Sequence, residues 1–216
     1  SERLRNVINK GVSREDLLSV VQLAASEGMQ NIRLYFMIGL PTETIEDIIE
    51  LEQLVFLAKE QLSNKRGRII LSINPFVPKP FTSFQWERMI DEKTFKQHID
   101  YLRKAFKNEK NIEIKIESYK SSLVQSALSC GDRKTGQLLL QAYKAGGLKE
   151  FAKMLKNKEH QQAYELDDYL PWEHLNMGFS KEYLLKERER AFSETTTQMC
   201  FEGCMRCGIG RKEADE

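Results

Sequence analysis

The order of hydrophobic patterns in the first half of the chain restricts its fold more than any other feature. Ser13 and Asp16 have the spacing of a capping box, in which a hydroxyl accepts an amide hydrogen at the helix start and an acid three residues on returns the bond. Leu17, Val20, Val21 and Ala24 then recur at helical spacing, and Gly28 is placed to end the helix. Ile32-Arg33-Leu34-Tyr35-Phe36-Met37-Ile38 follows, nearly continuous in apolar and aromatic residues, the pattern expected of a strand covered on both faces by helices. Gly39-Leu40-Pro41-Thr42-Glu43 breaks the run. Thr44 and Asp47 form a second capping box, and Leu51, Leu54, Val55, Ala58 and Leu62 continue as a helix.

After a polar loop at 63–67, Arg68 to Asn74 reads as a second strand centred on Ile69–Ile73. It stops at Pro75-Phe76-Val77-Pro78-Lys79-Pro80, because proline has no amide hydrogen to give to a ladder. A third helix from Asp91 carries Phe95, Ile99, Leu102 and Phe106 on one face, and Ile112 to Glu117 alternates as a short half-exposed strand does. Helix and strand thus alternate three times, which specifies an α/β fold with parallel strands joined by helical crossovers. Three strands are few for a whole domain. The chain also opens without Met, directly in helix-like sequence, so it is expected to be the C-terminal part of a longer protein. Beyond Glu117 the pattern is helical at 118–130, 134–145, 148–156 and 180–192, with turns at Gly131-Asp132, Gly146-Gly147 and Leu170-Pro171-Trp172. Three segments result: 1–117, a helical extension at 118–193, and a cysteine-containing tail at 194–216.

The 216 residues are 41% hydrophobic and 30% charged, enough for a packed core, and the net charge of +1 does not point to nucleic acid or an anionic membrane. No apolar run reaches the ~18 residues of a membrane span, and the first residues hold no signal-peptide core. Cys130 stands alone, whereas Cys200, Cys204 and Cys207 fall within eight residues. A disulfide framework spreads its thiols across the fold, so this spacing points to a metal site in a reducing cytosol. Short loops cost little closure entropy, and Gly203, Gly208 and Gly210 allow the backbone to turn around an ion. Iron–sulfur and zinc both fit, with Cys130 or an external group as fourth ligand; the plain alternative is a polar tail with reduced thiols.

Three stretches carry a resemblance. Ser1-Glu2-Arg3-Leu4-Arg5-Asn6-Val7-Ile8-Asn9-Lys10-Gly11 is similar to the segment after the fourth barrel strand of radical S-adenosylmethionine (SAM) enzymes of the cobalamin-binding and methylthiotransferase groups. Phe36-Met37-Ile38-Gly39-Leu40-Pro41-Thr42-Glu43-Thr44 resembles their fifth strand and turn, and Ile73-Asn74-Pro75-Phe76-Val77-Pro78-Lys79-Pro80-Phe81-Thr82 their sixth strand and exit loop. With the helices between them these cover roughly the first 110 residues. Gly131-Asp132-Arg133, Leu170-Pro171-Trp172-Glu173-His174, Phe179-Ser180-Lys181-Glu182-Tyr183-Leu184 and the terminal cysteines resemble a subgroup with a cobalamin-binding-type domain. The resemblance implies the C-terminal half of a partial (β/α)6 barrel, followed by a mainly helical extension. It also implies a [4Fe–4S] cluster that cleaves SAM to a 5′-deoxyadenosyl radical, a reductant protein, and a substrate that it does not fix, RNA and protein included. Cobalamin in the full-length protein is left open. The cluster loop of the family precedes the part matched here, so this chain alone is expected to be inactive.

The Cys200–Cys207 triad has the Cys-x3-Cys-x2-Cys spacing of the family's cluster but follows the barrel strands, and is read as an auxiliary site. The resemblance places Ile38, Gly39, Asn74 and Phe76 on the adenosyl-binding rim, with backbone contacts to adenine, where barrel sites lie at the C-terminal ends of strands. It brings Arg3, with Arg5, within reach of the cofactor carboxylate; the plain readings are an ordinary turn and solvated arginines. His98 reads as packed or half-exposed, His160 as a surface residue, and His174 either as a functional histidine or as one that holds a turn. No Ser/His/Asp grouping, phosphate loop or carboxylate pair stands out, so no catalytic residue is assigned. The competing function is a non-enzymatic module that binds a protein or RNA around a structural zinc.

Overall fold

The computed structural model describes residues 1–62, 67–155 and 163–209. These form two compact units: residues 1–76 with 89–122, and residues 77–88 with the chain from Leu123 on. The proline-rich exit segment therefore belongs with the helical extension, and the division after the third strand falls inside a helix rather than at residue 117.

In the first unit the elements run α1 (Glu2–Val7), α2 (Arg14–Ser26), β1 (Asn31–Ile38), α3 (Ile45–Glu60), β2 (Arg68–Pro75), α4 (Glu92–Ala105) and β3 (Ile112–Ile116). The strands are all parallel in the order β1-β2-β3, and Ile32, Ile69 and Ile112 share one row of the sheet. Ser13 and Asp16 close the capping box of α2 at 3.0 and 2.8 Å, and Asp91 caps α4 through the amide of Thr94 at 2.9 Å. One sheet face, carrying Ile38, Ile69, Leu71 and Ile73, is buried against Leu51 and Val55 of α3 and Phe95 and Leu102 of α4. Each such side chain contributes about 1.5–3 kcal/mol when fully buried.

The opposite face corrects the expectation of a strand sealed on both sides. β1 alternates strictly: Arg33, Tyr35 and Met37 are exposed, Tyr35 to 70%, while the even positions are partly or fully buried. The run is continuous in apolar and aromatic letters, but Arg, Tyr and Met all have long side chains with a polar or polarisable end that water tolerates. Along this face lie Ser72 and Asn74 of β2 and Glu113 and Lys115 of β3, with Glu113 paired to Arg68 and Lys115 at 3.5 and 3.3 Å. On α2, too, Val21 is the buried residue while Val20 is 65% exposed, a rotation that spacing alone does not resolve.

α5 (Tyr119–Cys130) leads into the second unit, which continues with α6 (Arg133–Ala145), α7 (Leu148–Met154) and α8 (Lys181–Phe192). Gly146 and Gly147, both at positive φ, turn α6 into α7, and Leu123, Ala142, Phe151 and Leu155 pack the resulting core. A second cluster gathers Trp86, Leu170, Trp172 and Leu184. At its centre the buried amide of Gln85 accepts the Phe81 backbone N–H at 2.9 Å and the Trp172 indole N–H at 2.7 Å. The expected loop at 63–66, the helix end at Lys156, His160 and Gly210 lie outside the described residues. Among the described residues no helix is long and apolar enough to cross a membrane.

Candidate functional site

The first group of candidate residues surrounds the turn at the C-terminal end of β1. Gly39 sits at φ +91°, and a Cβ there would lie 2.4 Å from the Cβ of Ile90, so only glycine fits. Ile90 is itself held, because Tyr119 donates its hydroxyl to the Ile90 carbonyl at 2.9 Å. Burial, helped by Glu92 and Asp91, pushes the Tyr119 pKa up to about 12, so the hydroxyl keeps its proton at neutral pH. The Gly39 amide donates to Glu43 Oε1 at 2.8 Å, and the Phe76 amide donates to the Ile38 carbonyl at 2.8 Å, joining the ends of β1 and β2.

Beneath the turn, α1 is locked to the start of α3. Ser1 donates to Asp47 Oδ1 at 2.5 Å, and Asp47 Oδ2 accepts the Thr44 amide at 2.9 Å. The Arg3 guanidinium pairs with both carboxylate oxygens of Asp47 and reaches the hydroxyl and carbonyl of Thr42 at 3.0 and 2.8 Å. Thr42 is a non-glycine residue at φ +67°, so its unusual backbone is tied down from α1. Burial of Asp47 favours the protonated acid, but the hydrogen bonds from Arg3, Ser1 and Thr44 outweigh it and hold the pKa below the usual carboxylate range.

These contacts redistribute the expected roles. Arg3 is engaged in holding the turn. Arg5, two residues on, has its Nε and one terminal nitrogen buried without a hydrogen-bond partner among the described residues. The side chains of Ile38 and Phe76 are buried, whereas Asn74 is exposed on the open sheet face, in register with Met37. Tyr35 and Met37 are accessible strand-end residues that sequence reasoning passed over; the signal was their parity, odd against the even positions that pack. His98 is a buried residue, its Nδ1 3.3 Å from Glu43 Oε1. That contact is misdirected for a hydrogen bond, and both His98 Nδ1 and Glu43 Oε2 are buried without a hydrogen-bond partner among the described residues.

The second group is the cysteine loop. The Cys204 amide donates to the Phe201 carbonyl at 3.0 Å and the Gly208 amide to Met205 at 3.1 Å, with Gly203 at φ +77° and Gly208 at φ +85°. Arg206 donates its Nε–H to Cys204 Sγ at 3.2 Å and reaches the carbonyls of Gln198 and Met199 at 2.6 and 3.1 Å. The backbone amide and then the side chain of Arg206 draw the Cys204 thiol below its usual range. Cys200 is exposed, and Cys204 and Cys207 are half-buried. Among the described residues, no three His, Cys, Asp or Glu side chains are gathered closely enough to hold a metal ion. Cys130 does not join the triad: its thiol donates to the Pro78 carbonyl at 3.3 Å, and burial pushes its pKa up to about 11. Exposed His174 brings Nδ1 within 3.0 Å of the Pro171 carbonyl, the contact of a residue that holds its own turn.

Over 139 residues the chain is 37% identical to an uncharacterized protein of Methanocaldococcus jannaschii. The match takes in 64% of this chain and 30% of that relative, so the chain spans less than a third of its length. No family model matches the chain. No solved structure matches it either.

Proposed function

We propose that this chain is the C-terminal part of the catalytic barrel of a radical SAM enzyme, with β1 and β2 as its fifth and sixth strands and β3 adding to the sheet beside them. The observation that carries the reading is the asymmetry of the parallel sheet. One face is apolar and helix-covered, and the other is open and lined by Tyr35, Met37, Ile70, Ser72, Asn74 and Lys115. Parallel sheets are ordinarily covered on both faces. A face with this composition suits the wall of a ligand-filled barrel better than the packing of further helices. The turn motif Gly39-Leu40-Pro41 and the exit at Asn74-Pro75-Phe76 both fall at the C-terminal ends of strands, where barrel sites are built. The match to only 30% of a longer relative is consistent with a piece of a larger protein.

When bound, SAM and a reduced [4Fe–4S] cluster supply a one-electron cleavage of the cofactor's sulfur–carbon bond, yielding methionine and a 5′-deoxyadenosyl radical. The residues present fit a cofactor-positioning role in part. The Asn74 amide and Met37 thioether are accessible at the strand ends, and the partnerless donors of Arg5 are suited to a carboxylate. Arg3, Glu43 and Asp47 act one layer below, by fixing the turn that carries Gly39. The remaining cofactor ligands, including the cluster thiolates, fall outside this chain in this reading, as would a reductant protein's docking site.

The test uses the parent polypeptide, reconstituted anaerobically with iron and sulfide and reduced with dithionite. It should release 5′-deoxyadenosine and methionine from SAM, and the same protein with Arg5→Ala should bind SAM more weakly. Residues 1–216 alone should release neither product. A parent protein that binds no SAM, or cleavage by the isolated chain, overturns the reading. The second reading, a protein- or RNA-binding module around a structural zinc, draws on the cysteine loop and would gain from that outcome.

A further inference from the structure

We propose that the exposed face of the α6–α7 hairpin binds single-stranded nucleic acid, with Arg133, Lys134, Lys144 and Lys149 on its phosphates and Tyr143 stacked on a base. Only residues of the second unit take part, without any cysteine or metal, so the surface stands apart from the radical SAM reading.

The net charge of +1 averages over an uneven distribution. Between Arg133 and Lys153 the sequence holds the cations Arg133, Lys134, Lys144, Lys149 and Lys153 against one acid, Glu150. Residues 163–175 hold Glu165, Asp167, Asp168 and Glu173 and no lysine or arginine. The acids at the hairpin are already engaged. Glu150 pairs with Lys153 at 2.6 Å, and Asp132, just before α6, accepts the Lys134 and Thr135 amides at 2.8 and 3.2 Å. Arg133, Lys134, Lys144 and Lys149 are exposed and meet no carboxylate among the described residues.

The helix period gathers these groups. Ala142 packs with Phe151 and Leu155 in the hairpin core, and Thr135, two turns earlier on the same side of α6, is buried. The opposite side carries Arg133, Gln137, Leu140 and Lys144, which share one exposed stripe at helical spacing. The stripe runs for about 16 Å, enough to follow a strand over a few nucleotides. Tyr143 flanks it at 77% exposure. Exposed Gln137 and Gln141 add amide donors of the kind that hold phosphate and sugar oxygens. Past the Gly146-Gly147 turn the exposed run resumes at once with Leu148 and Lys149.

Three polyanions suit a basic surface: an acidic helix, an anionic membrane and a nucleic-acid strand. A docked helix needs a continuous apolar groove, and a membrane surface needs a helix face rich in apolar residues. The exposed side of α6 offers only Leu140 and Tyr143 for either purpose, because Leu138 and Leu139 pack against the hairpin core. A single strand needs cations, amides and an exposed ring, since every base has a face to stack. A duplex hides those faces.

The experiment is fluorescence anisotropy of a short labelled oligouridylate titrated with the chain at several salt concentrations. Four phosphate contacts on a single strand predict a log–log salt slope of about −3, which is about fiftyfold weaker binding at about 200 mM than at about 50 mM salt. Arg133→Ala and Lys144→Ala should each weaken binding about three- to tenfold and flatten the slope by about 0.7. Tyr143→Ala should cost about tenfold and leave the slope unchanged, because stacking releases no counterions. Exposed Lys107 lies in the first unit, and Lys107→Ala should match the parent. Circular dichroism should show every variant folded. The deoxy form of the same strand separates the two sources of this chemistry. Equal affinity assigns recognition to phosphates and bases, weaker binding adds the 2′-hydroxyl, and both support the surface. Three results would each overturn it: no binding at low salt, a loss in Lys107→Ala as large as in Lys144→Ala, or capture by phosphatidylserine vesicles or polyglutamate without capture of the strand.

Discussion

The turn after β1 and the cysteine loop are built from similar parts and end in different states. Each uses a positive-φ glycine, and each is stapled by an arginine that reaches a side chain and a backbone carbonyl. Arg3 meets Asp47, whose side chain is 3% exposed, and the Gly39 turn rests on Ile90 in a packed unit. Arg206 meets the thiol of half-buried Cys204, and its neighbours Met199, Phe201 and Met205 are largely exposed. The contrast teaches that one turn is specified by burial and the other only by local hydrogen bonds. A locally specified loop is more easily reshaped than one fixed by burial.

The largest effect expected on this comparison comes from Asp47→Ala. It removes the acceptor shared by Ser1, Arg3 and Thr44 and leaves the guanidinium without its counter-charge, a change that costs about 3–4 kcal/mol for a mostly buried pair. Urea unfolding at neutral pH measures it. The sign with pH follows from the lowered pKa of Asp47. A carboxylate whose folded pKa is depressed stabilises the fold above its unfolded value and loses that contribution as pH falls through the folded one. The gap between parent and variant should therefore stay constant from neutrality down to about pH 4 and shrink only below it. A variant as stable as the parent would show that the lock is ornamental.

Much of the first unit was legible because its signals are periodic or stereochemical. Phe95, Ile99, Leu102 and Phe106 fall on one buried helix face, and Ser13-to-Asp16 spacing reproduces the observed cap. The strand order follows from alternation with helices. Two things were not legible. The open face of β1 was hidden because Tyr35 and Met37 read as apolar letters, although parity separated them from Phe36 and Ile38. The roles of Arg3 and Arg5 were indistinguishable, since they depend on Asp47, 44 residues from Arg3, and no local pattern encodes that contact. At the tail the spacing of Cys200, Cys204 and Cys207 was plain, but the part of Arg206 was not, because a single arginine between cysteines has no pattern of its own.

Thiol labelling sharpens the comparison next. With its pKa pushed up from 9.0 to about 11, Cys130 carries about a hundredfold less thiolate near neutral pH than an ordinary cysteine. Iodoacetamide should therefore label Cys130 at least that much more slowly than exposed Cys200 in the folded chain, and at a similar rate in urea. Peptide mass spectrometry over a time course separates the sites. Equal rates in the folded chain would contradict the burial of Cys130 behind Pro78.

Gly39→Ala should follow, at about 2–3 kcal/mol. The added methyl meets Ile90 Cβ at 2.4 Å, and an L-residue at φ +91° is strained regardless of space. Ile90→Gly, which removes both the Cβ and the Cγ2 that the new methyl would meet, tests the division between these causes. In the double variant the clash is relieved but the backbone strain of about 1–2 kcal/mol persists, so the coupling energy should be favourable and smaller than the full cost. Exact additivity would mean that the turn shifts away from Ile90 without resistance.

The smallest effect belongs to the loop. Arg206→Ala in metal-free protein should leave the unfolding midpoint within about 0.5 kcal/mol of the parent, as for a surface residue whose partners are backbone carbonyls and a half-buried thiol. A larger loss would mean that the cysteine loop, like the turn after β1, is held by the fold itself, and the contrast between the two regions would collapse.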